Sequence, residues 1–227
     1  MGNEKIIILA DGPYLVQGGI RLSEKIIRKK DGGYVLEEGR ALPQREKYSL
    51  CRCGHSKNPP FCDGQHSDCA FDGEETASME AFADRADKLE GPDLILMDDN
   101  RCALARFCHR KSGSAWELVK QSDDAFLKSE AIRAAVECPA GRLVAVDKDG
   151  REFEDAAEPE IIILQDPEKK VSGGIFVKGR IEIVAASGKS YEIRERLTLC
   201  RCGKSTNKPF CDAKHIREGF GDGFEKV

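Results

Sequence analysis

Two stretches of the chain constrain it more than anything else. One, from Cys51 to His66, reads CRCGHSKNPPFCDGQH; the other, from Cys200 to His215, reads CRCGKSTNKPFCDAKH. They share one frame. Cys51, Cys53, Ser56, Pro60, Cys62, Asp63 and His66 in the first match Cys200, Cys202, Ser205, Pro209, Cys211, Asp212 and His215 in the second, step for step. Three thiols and an imidazole in one short loop can fold around a single metal centre. The C-x-C step places two thiolates close together, and the proline ahead of the third cysteine stiffens the loop. Zinc accepts a Cys3His set, although its sites usually draw C-x2-4-C pairs from two separated knuckles. A [2Fe-2S] cluster takes two ligands per iron and tolerates histidine. On these residues alone both metals stay open.

The chain has ten cysteines in 227 residues. A disulfide framework is the competing use, but cysteines bunched with histidines in a chain without an export signal point to metal ligation in a reducing compartment. The opening MGNEKIIILADG lacks the basic flank and long apolar core of a secretory signal, and the serine or threonine that myristoylation prefers. Apolar runs such as IIILA at Ile6 and LILM at Leu94 are far too short to span a bilayer. With 36 basic against 40 acidic residues and a net charge of -4, non-specific nucleic-acid binding is disfavoured. The expectation is a soluble, cytoplasmic protein with no nucleic-acid or membrane partner.

The duplication extends beyond the cassettes. IIIL at Ile6 recurs at Ile161, and QGGI ending at Ile20 recurs as SGGI ending at Ile175, an offset of 155; at the cysteines the offset is 149. The first copy therefore carries a six-residue insertion, placed at the KKDGG turn, Lys29 to Gly33. Such self-similarity marks a duplicated unit. Short alternating or β-branched runs predict strands in both copies: KIIIL, PYLVQGGIRL and GGYVLEEG, then IIILQD, GGIFVKGRIEIV and KSYEIRE. The cassettes predict loops followed by one short helical turn.

The segment between the copies differs. TASMEAFADRADKLEG, Thr76 to Gly91, predicts a helix capped by Ser78. DLILMD predicts a strand. SDDAFLKSEAIRAAVE predicts a second helix, capped by Ser122, with Phe126, Ile132 and Val136 on its apolar face. RLVAVD predicts another strand, and the acidic stretch from Lys148 onward a linker.

Both cassettes resemble the CDGSH iron–sulfur family, also called NEET proteins, with signature C-x-C-x2-(S/T)-x3-P-x-C-D-G-(S/A/T)-H. DGPYLVQGGIRL resembles the strand region that precedes the signature. The resemblance implies one [2Fe-2S] cluster on Cys51, Cys53, Cys62 and His66 and another on Cys200, Cys202, Cys211 and His215. Gln65 and Lys214 depart from the small residue before the histidine, and Ala213 from the glycine. These changes spare the ligands and bear on cluster potential and lability; Lys214 favours the reduced, more negative cluster electrostatically. His55, matched by Lys204, reads as a solvated loop histidine, and Asp63 and Asp212 as caps of the short helix. Single-cassette members pair as dimers, so the two copies here are expected to pair within one monomeric chain, about a pseudo-two-fold. A histidine ligand binds only unprotonated, near ~6.5 when free, which predicts acid-labile clusters, a potential above that of an all-cysteine cluster, and reduction coupled to proton uptake.

Four cysteines remain. Cys102, Cys108 and Cys138 lie in NRCALARFCH and VECPAGRL, as C-x5-C, a helix, and C-P, with Ala105 where a further cysteine would stand. Together with DDNRC and AAVECPAGRLVAV, this arrangement resembles the divergent mono-cluster ferredoxins over about 55 residues. The resemblance implies a [3Fe-4S] cluster, or a [4Fe-4S] cluster with a non-cysteine fourth ligand, for which His109 is nearest. The alternative is three buried cysteines in a cluster-free ferredoxin-like domain; the stretch Lys111 to Lys120, with Trp116, is long for a compact ferredoxin turn. Cys69, matched by Glu218, reads as a spare thiol.

The expected fold class is α+β: small β-rich CDGSH modules at 1–73 and 159–227 flank a ferredoxin-like domain at 76–148, with a linker at 149–158. No nucleophile–base set or glycine-rich phosphate loop points to an enzyme. The expected role is electron transfer or redox sensing with a redox partner protein. The alternatives are cluster storage and delivery to an apo-acceptor, or a zinc-bound interaction module.

Overall fold

The computed structural model describes residues 4–223. The first copy supplies β1 (Lys5–Ile8), β2 (Tyr14–Gln17), β3 (Arg21–Lys30), β4 (Gly33–Glu38) and β5 (Lys47–Leu50). The middle supplies α1 (Phe82–Arg85), β6 (Asp87–Glu90), β7 (Leu94–Asp98), β8 (His109–Arg110), β9 (Gly113–Ser114), α2 (Ala115–Val119), α3 (Ala125–Val136), β10 (Leu143–Asp147) and β11 (Glu152–Phe153). The second copy supplies β12 (Glu160–Asp166), β13 (Val171–Lys178), β14 (Glu182–Val184), β15 (Arg196–Leu199) and α4 (Lys214–Arg217).

The two copies interleave. One sheet runs β14-β1-β2-β5, the other β15-β13-β12-β3-β4. Each copy lends its third strand to the other's sheet: β14 pairs parallel with β1, and β3 pairs parallel with β12. The residues explain the partition. In β1 and β2 buried and half-buried positions alternate, as on a sheet with one covered face. The run IIIL in β12 is buried throughout, because that strand is central and covered on both sides. Ile161 and Ile163 join a core shared by both copies, with Ile6, Tyr14, Leu50, Ile175 and Leu199. Ile162 and Leu164 point the other way, onto Ala105 and Phe107 of the middle segment. The registers correct the alignment: Tyr14 pairs with Leu50 and Ile175 with Leu199, so Ile175 matches Tyr14, an offset of 161 (175 − 14), and Ile20 matches Ile181 rather than Ile175. The second copy thus carries six extra residues between β12 and β13, and the first carries the longer β3–β4 hairpin, which turns at Asp31 and Gly32.

The middle segment is an antiparallel sheet of order β11-β10-β7-β6. One face packs Leu94, Leu96 and Leu143 against Leu118 and Ala131 of α2 and α3; the other packs Met97 and Val144 against Phe82.

The structure alters several of these expectations. Between Thr76 and Gly91 only Phe82–Arg85 is helical, and Asp87–Glu90 pairs with β7 as a strand. Ser78 does not cap a helix; its hydroxyl accepts the amide of Glu80. Ser122 does not cap α3 either. It is fully buried, accepting the amides of Asp93 and Leu94, and Asp124 is the cap. Phe126 is 64% exposed, because α3 buries a stripe of alanines instead. KSYEIRE forms no strand beyond one bridge at Ser190, and the expected linker begins with β11, paired to β10.

Candidate metal centres

Each cassette is a loop locked by its own short polar residues. In the first, the amide of Cys51 donates to Pro60 O and that of Cys62 to Ser49 O, so the two chain ends lie side by side. Ser56 Oγ donates to Phe61 O at 2.6 Å and accepts the amide of Asn58. Asp63 accepts the amides of Lys57 and Gln65. The second repeats each bond with Cys200, Cys211, Ser205 and Asp212. The aspartates thus tie the loop to the first helical amide, while Gly64 and Ala213 occupy the N-cap positions in the left-handed region.

These bonds set the donors in pairs. Cys51 and Cys53 Sγ stand 3.7 Å apart, and Cys62 Sγ lies 3.4 Å from His66 Nδ1. The second copy gives 3.6 Å for Cys200 and Cys202, and 3.4 Å for Cys211 and His215. Two donors on one tetrahedral metal, at ~2.3 Å for sulfur and ~2.0 Å for nitrogen, stand ~3.5–3.8 Å apart. Each pair therefore fits one metal. Among the described residues no three His, Cys, Asp or Glu side chains gather as they would around a single ion.

Burial prepares the donors. It pushes the Cys53 thiol up to about 12, and those of Cys62 and Cys211 upward. Cys200 and Cys202 share a proton: the bond from Cys202 brings the Cys200 thiol down to about 6, while that of Cys202 rises. Thiols held neutral by burial ionise when a cation takes the proton's place. Burial, then Arg201, lowers His215 to about 4, leaving its imidazole neutral and able to ligate at ordinary pH.

The two sites differ in exposure. His66 and Cys62 are half-buried, whereas His215 and Cys211 are 3% exposed. His55 is exposed on its loop, and the half-buried Cys69 thiol lies 3.8 Å from His66 O.

Cys102, Cys108 and Cys138 line one pocket together with Pro139 and Arg142. Burial, and then the charges of Cys138 and Cys102, raise the Cys108 thiol to about 12. His109 is exposed beside Trp116 and does not line this pocket. Arg196 donates to Cys138 O and Ala135 O, and Thr198 donates to Pro139 O. Both sit on β15, which leads into Cys200. Cys102 also adds to the rise at Cys211. The middle pocket therefore abuts the second cassette.

The cassettes also meet each other. A Cβ on Gly54 would stand 2.7 Å from Cys202 O, and one on Gly203 would stand 2.5 Å from Cys53 O. Tyr14 donates its hydroxyl to Cys200 O at 2.7 Å across the same contact. Sequence reasoning missed two residues beside the ligands, Arg52 and Arg201, each 2% exposed. The signal was present: CRC occurs unchanged in both cassettes.

Comparison with known proteins fits this layout. The family described as the iron-binding zinc finger of CDGSH type matches residues 11–67 and 172–216, and the divergent 4Fe-4S mono-cluster family matches residues 89–148. No curated protein and no solved structure gives a significant match. The two outer segments are thus of the CDGSH iron-binding family, and the segment they flank is of the divergent 4Fe-4S mono-cluster family.

Proposed function

We propose that each terminal cassette holds a [2Fe-2S] cluster, on Cys51, Cys53, Cys62 and His66 and on Cys200, Cys202, Cys211 and His215. We further propose that Cys102, Cys108 and Cys138 hold a third, of [3Fe-4S] or [4Fe-4S] type. The two-plus-two disposition of donors, repeated in both copies, carries this reading. One tetrahedral zinc would want all four donors ~3.5–3.8 Å from each other, whereas a binuclear centre takes two donors per iron. The zinc-bound module is correspondingly disfavoured. Bound this way, the clusters supply one-electron chemistry.

The chain's residues hold and insulate those centres, and the function is electron transfer or redox sensing with a partner protein. The reciprocal loan of β3 and β14 supports a pseudo-two-fold pair within one chain, and hence a monomer. The antiparallel sheet carrying α2 and α3 supports a ferredoxin-like middle. A second reading, delivery of a cluster to an apo-acceptor, draws support from the half-buried Cys62 and His66.

The test is anaerobic purification with iron and sulfide quantitation, followed by EPR. About four irons per chain are expected from the cassettes, and about seven or eight with the middle segment loaded. Colourless protein without inorganic sulfide overturns the proposal. Reversible reduction without iron loss favours electron transfer, and transfer to an apo-ferredoxin favours delivery.

A further inference from the structure

The arginine between the first two cysteines is buried in both copies, and the two are compensated differently. Arg201 donates through Nε to Gly173 O at 2.8 Å, through Nη2 to Leu164 O at 3.1 Å, and through Nη1 to Asp222 at 2.6 Å. Both side chains of that ion pair are 2% exposed. Asp222 also accepts from Ser172 and Gln165. Burial alone would raise its carboxyl, but Arg201 and these bonds outweigh burial and hold it at about 2. The pair is thus ionic, and its charges cancel.

Among the described residues Arg52 has no such partner. Its Nη1 donates to Leu9 O at 3.1 Å and Gly12 O at 3.4 Å, its Nη2 donates to Gly73 O, and its guanidinium lies over the rings of Tyr14 and Phe71. Gly73 stands at the position equivalent to Asp222, so a carbonyl replaces a carboxylate. Nε of Arg52 is buried and has no hydrogen-bond partner among the described residues. Two carboxylates of the same region accept from neutral donors and form no ion pair with Arg52: Asp11 accepts the amide of Gly73, and Glu75 accepts the amide of Ala186 and the hydroxyl of Tyr191. A buried cation compensated only by carbonyl dipoles and ring faces is unfavourable unless a negative charge lies near it.

We propose that Arg52 makes the first cassette the higher-potential member of the pair, so that an electron entering at the second cassette comes to rest on the first. The inference rests on the cluster reading given above. Three thiolates, two sulfides and two ferric ions carry one net negative charge, and a single added electron makes it two. A buried positive charge with no direct ion pair, bonded between two of the ligating residues, stabilises the more negative state. At the second cassette the 2.6 Å ion pair with Asp222 offsets the charge of Arg201, although that charge still acts on His215. The exposure of Cys62 and His66 acts in the same direction, because water stabilises the added charge. Lys214, beside His215, acts in the opposite direction. Its side chain is 32% exposed and lies 4.0 Å from Asp212, so solvent and that carboxylate screen it. The middle pocket abuts the second cassette, which gives the route an entry side.

The experiment is an anaerobic redox titration of the full, loaded chain with dithionite as the one-electron donor, followed by EPR and visible absorption. Two separate cassette steps are expected. Replacing a histidine ligand by cysteine lowers a cluster's potential, so His66→Cys should move the upper step and leave the lower in place. Asp222→Asn should raise the lower step and narrow the gap. Arg52→Gln should drop the upper step, and Arg52→Lys should restore most of it. Coincident steps in the wild type overturn the proposal, as does a His66→Cys shift confined to the lower step or an Asp222→Asn gap that does not change. Should Arg52→Gln fail to load iron, the other variants still decide. Wild-type protein lacking iron and sulfide would overturn the cluster reading itself, a different result from equal potentials in a loaded protein.

Discussion

At the scale of single residues, His66 and His215, the histidines of the proposed ligand sets, bear on the response to acid. Burial and Arg201 hold His215 near 4, against ~6.5 for an exposed imidazole, so the native site keeps the free base. As pH falls from ~6.5 towards 4, released or unfolded histidine binds a proton that the buried one does not. The native state loses ground across that window, and ligation, which needs the free base, is competed by protons. Cluster absorbance of the wild type should therefore decay at mildly acid pH, and the decay should be slower in His66→Cys and His215→Cys; equal rates would contradict histidine ligation. The paired candidate donors were legible in the sequence because metal chemistry needs particular atoms at particular spacings. Arg52 and Arg201 were not, since a lone arginine reads as a solvated surface group until the carbonyls of Leu9 and Leu164 are seen to close over it.

At the scale of elements, patterning located strands better than helices. β1, β7, β10 and β12 are runs of Ile, Val and Leu that leave little choice. The stretch from Thr76 to Gly91 misleads because its residues favour helix while β7 offers an open edge, and pairing along that edge outweighs weak propensity. The capping of α3 was ambiguous in SDD, where any of the three could serve; the burial of Ser122 under β7 left the role to Asp124. Asp124 Oδ1 accepts the amides of Phe126 and Leu127, each at 2.9 Å. Asp124→Ala should cost about 1 kcal/mol, read as a lower denaturation midpoint by fluorescence of Trp116, the single tryptophan. Ser122→Ala removes the acceptor of the Asp93 amide and of the buried Leu94 amide and should cost more, about 1–3 kcal/mol.

At the scale of the whole molecule, the repeat was legible, but its alignment at the second strands and its interleaving were not, since the QGGI and SGGI likeness hid the true register and nothing in the strand sequences says which copy's sheet β3 or β14 will join. The docking of the middle pocket on β15 was equally hidden, because it depends on backbone carbonyls of Cys138 and Pro139. The cassette contact turns on Gly54 and Gly203, at φ of 81° and 75°, where a side chain is strained and would also strike the facing loop. Gly54→Ala or Gly203→Ala should lower the melting temperature of the loaded protein, with about 1–3 kcal/mol from backbone strain alone. An equal loss from Gly64→Ala, whose φ is 94° but whose Cβ would meet nothing within 4 Å, would show that the contact itself contributes nothing.

The crossing of β3 and β14 between sheets has a further outcome. Units that associate as separate polypeptides come apart on dilution and can exchange mates; here the tether keeps the stoichiometry at one to one at any concentration. Each half is then free to drift from its twin without meeting a copy of itself, which is the circumstance that lets Gly73 and Asp222 diverge at matching places.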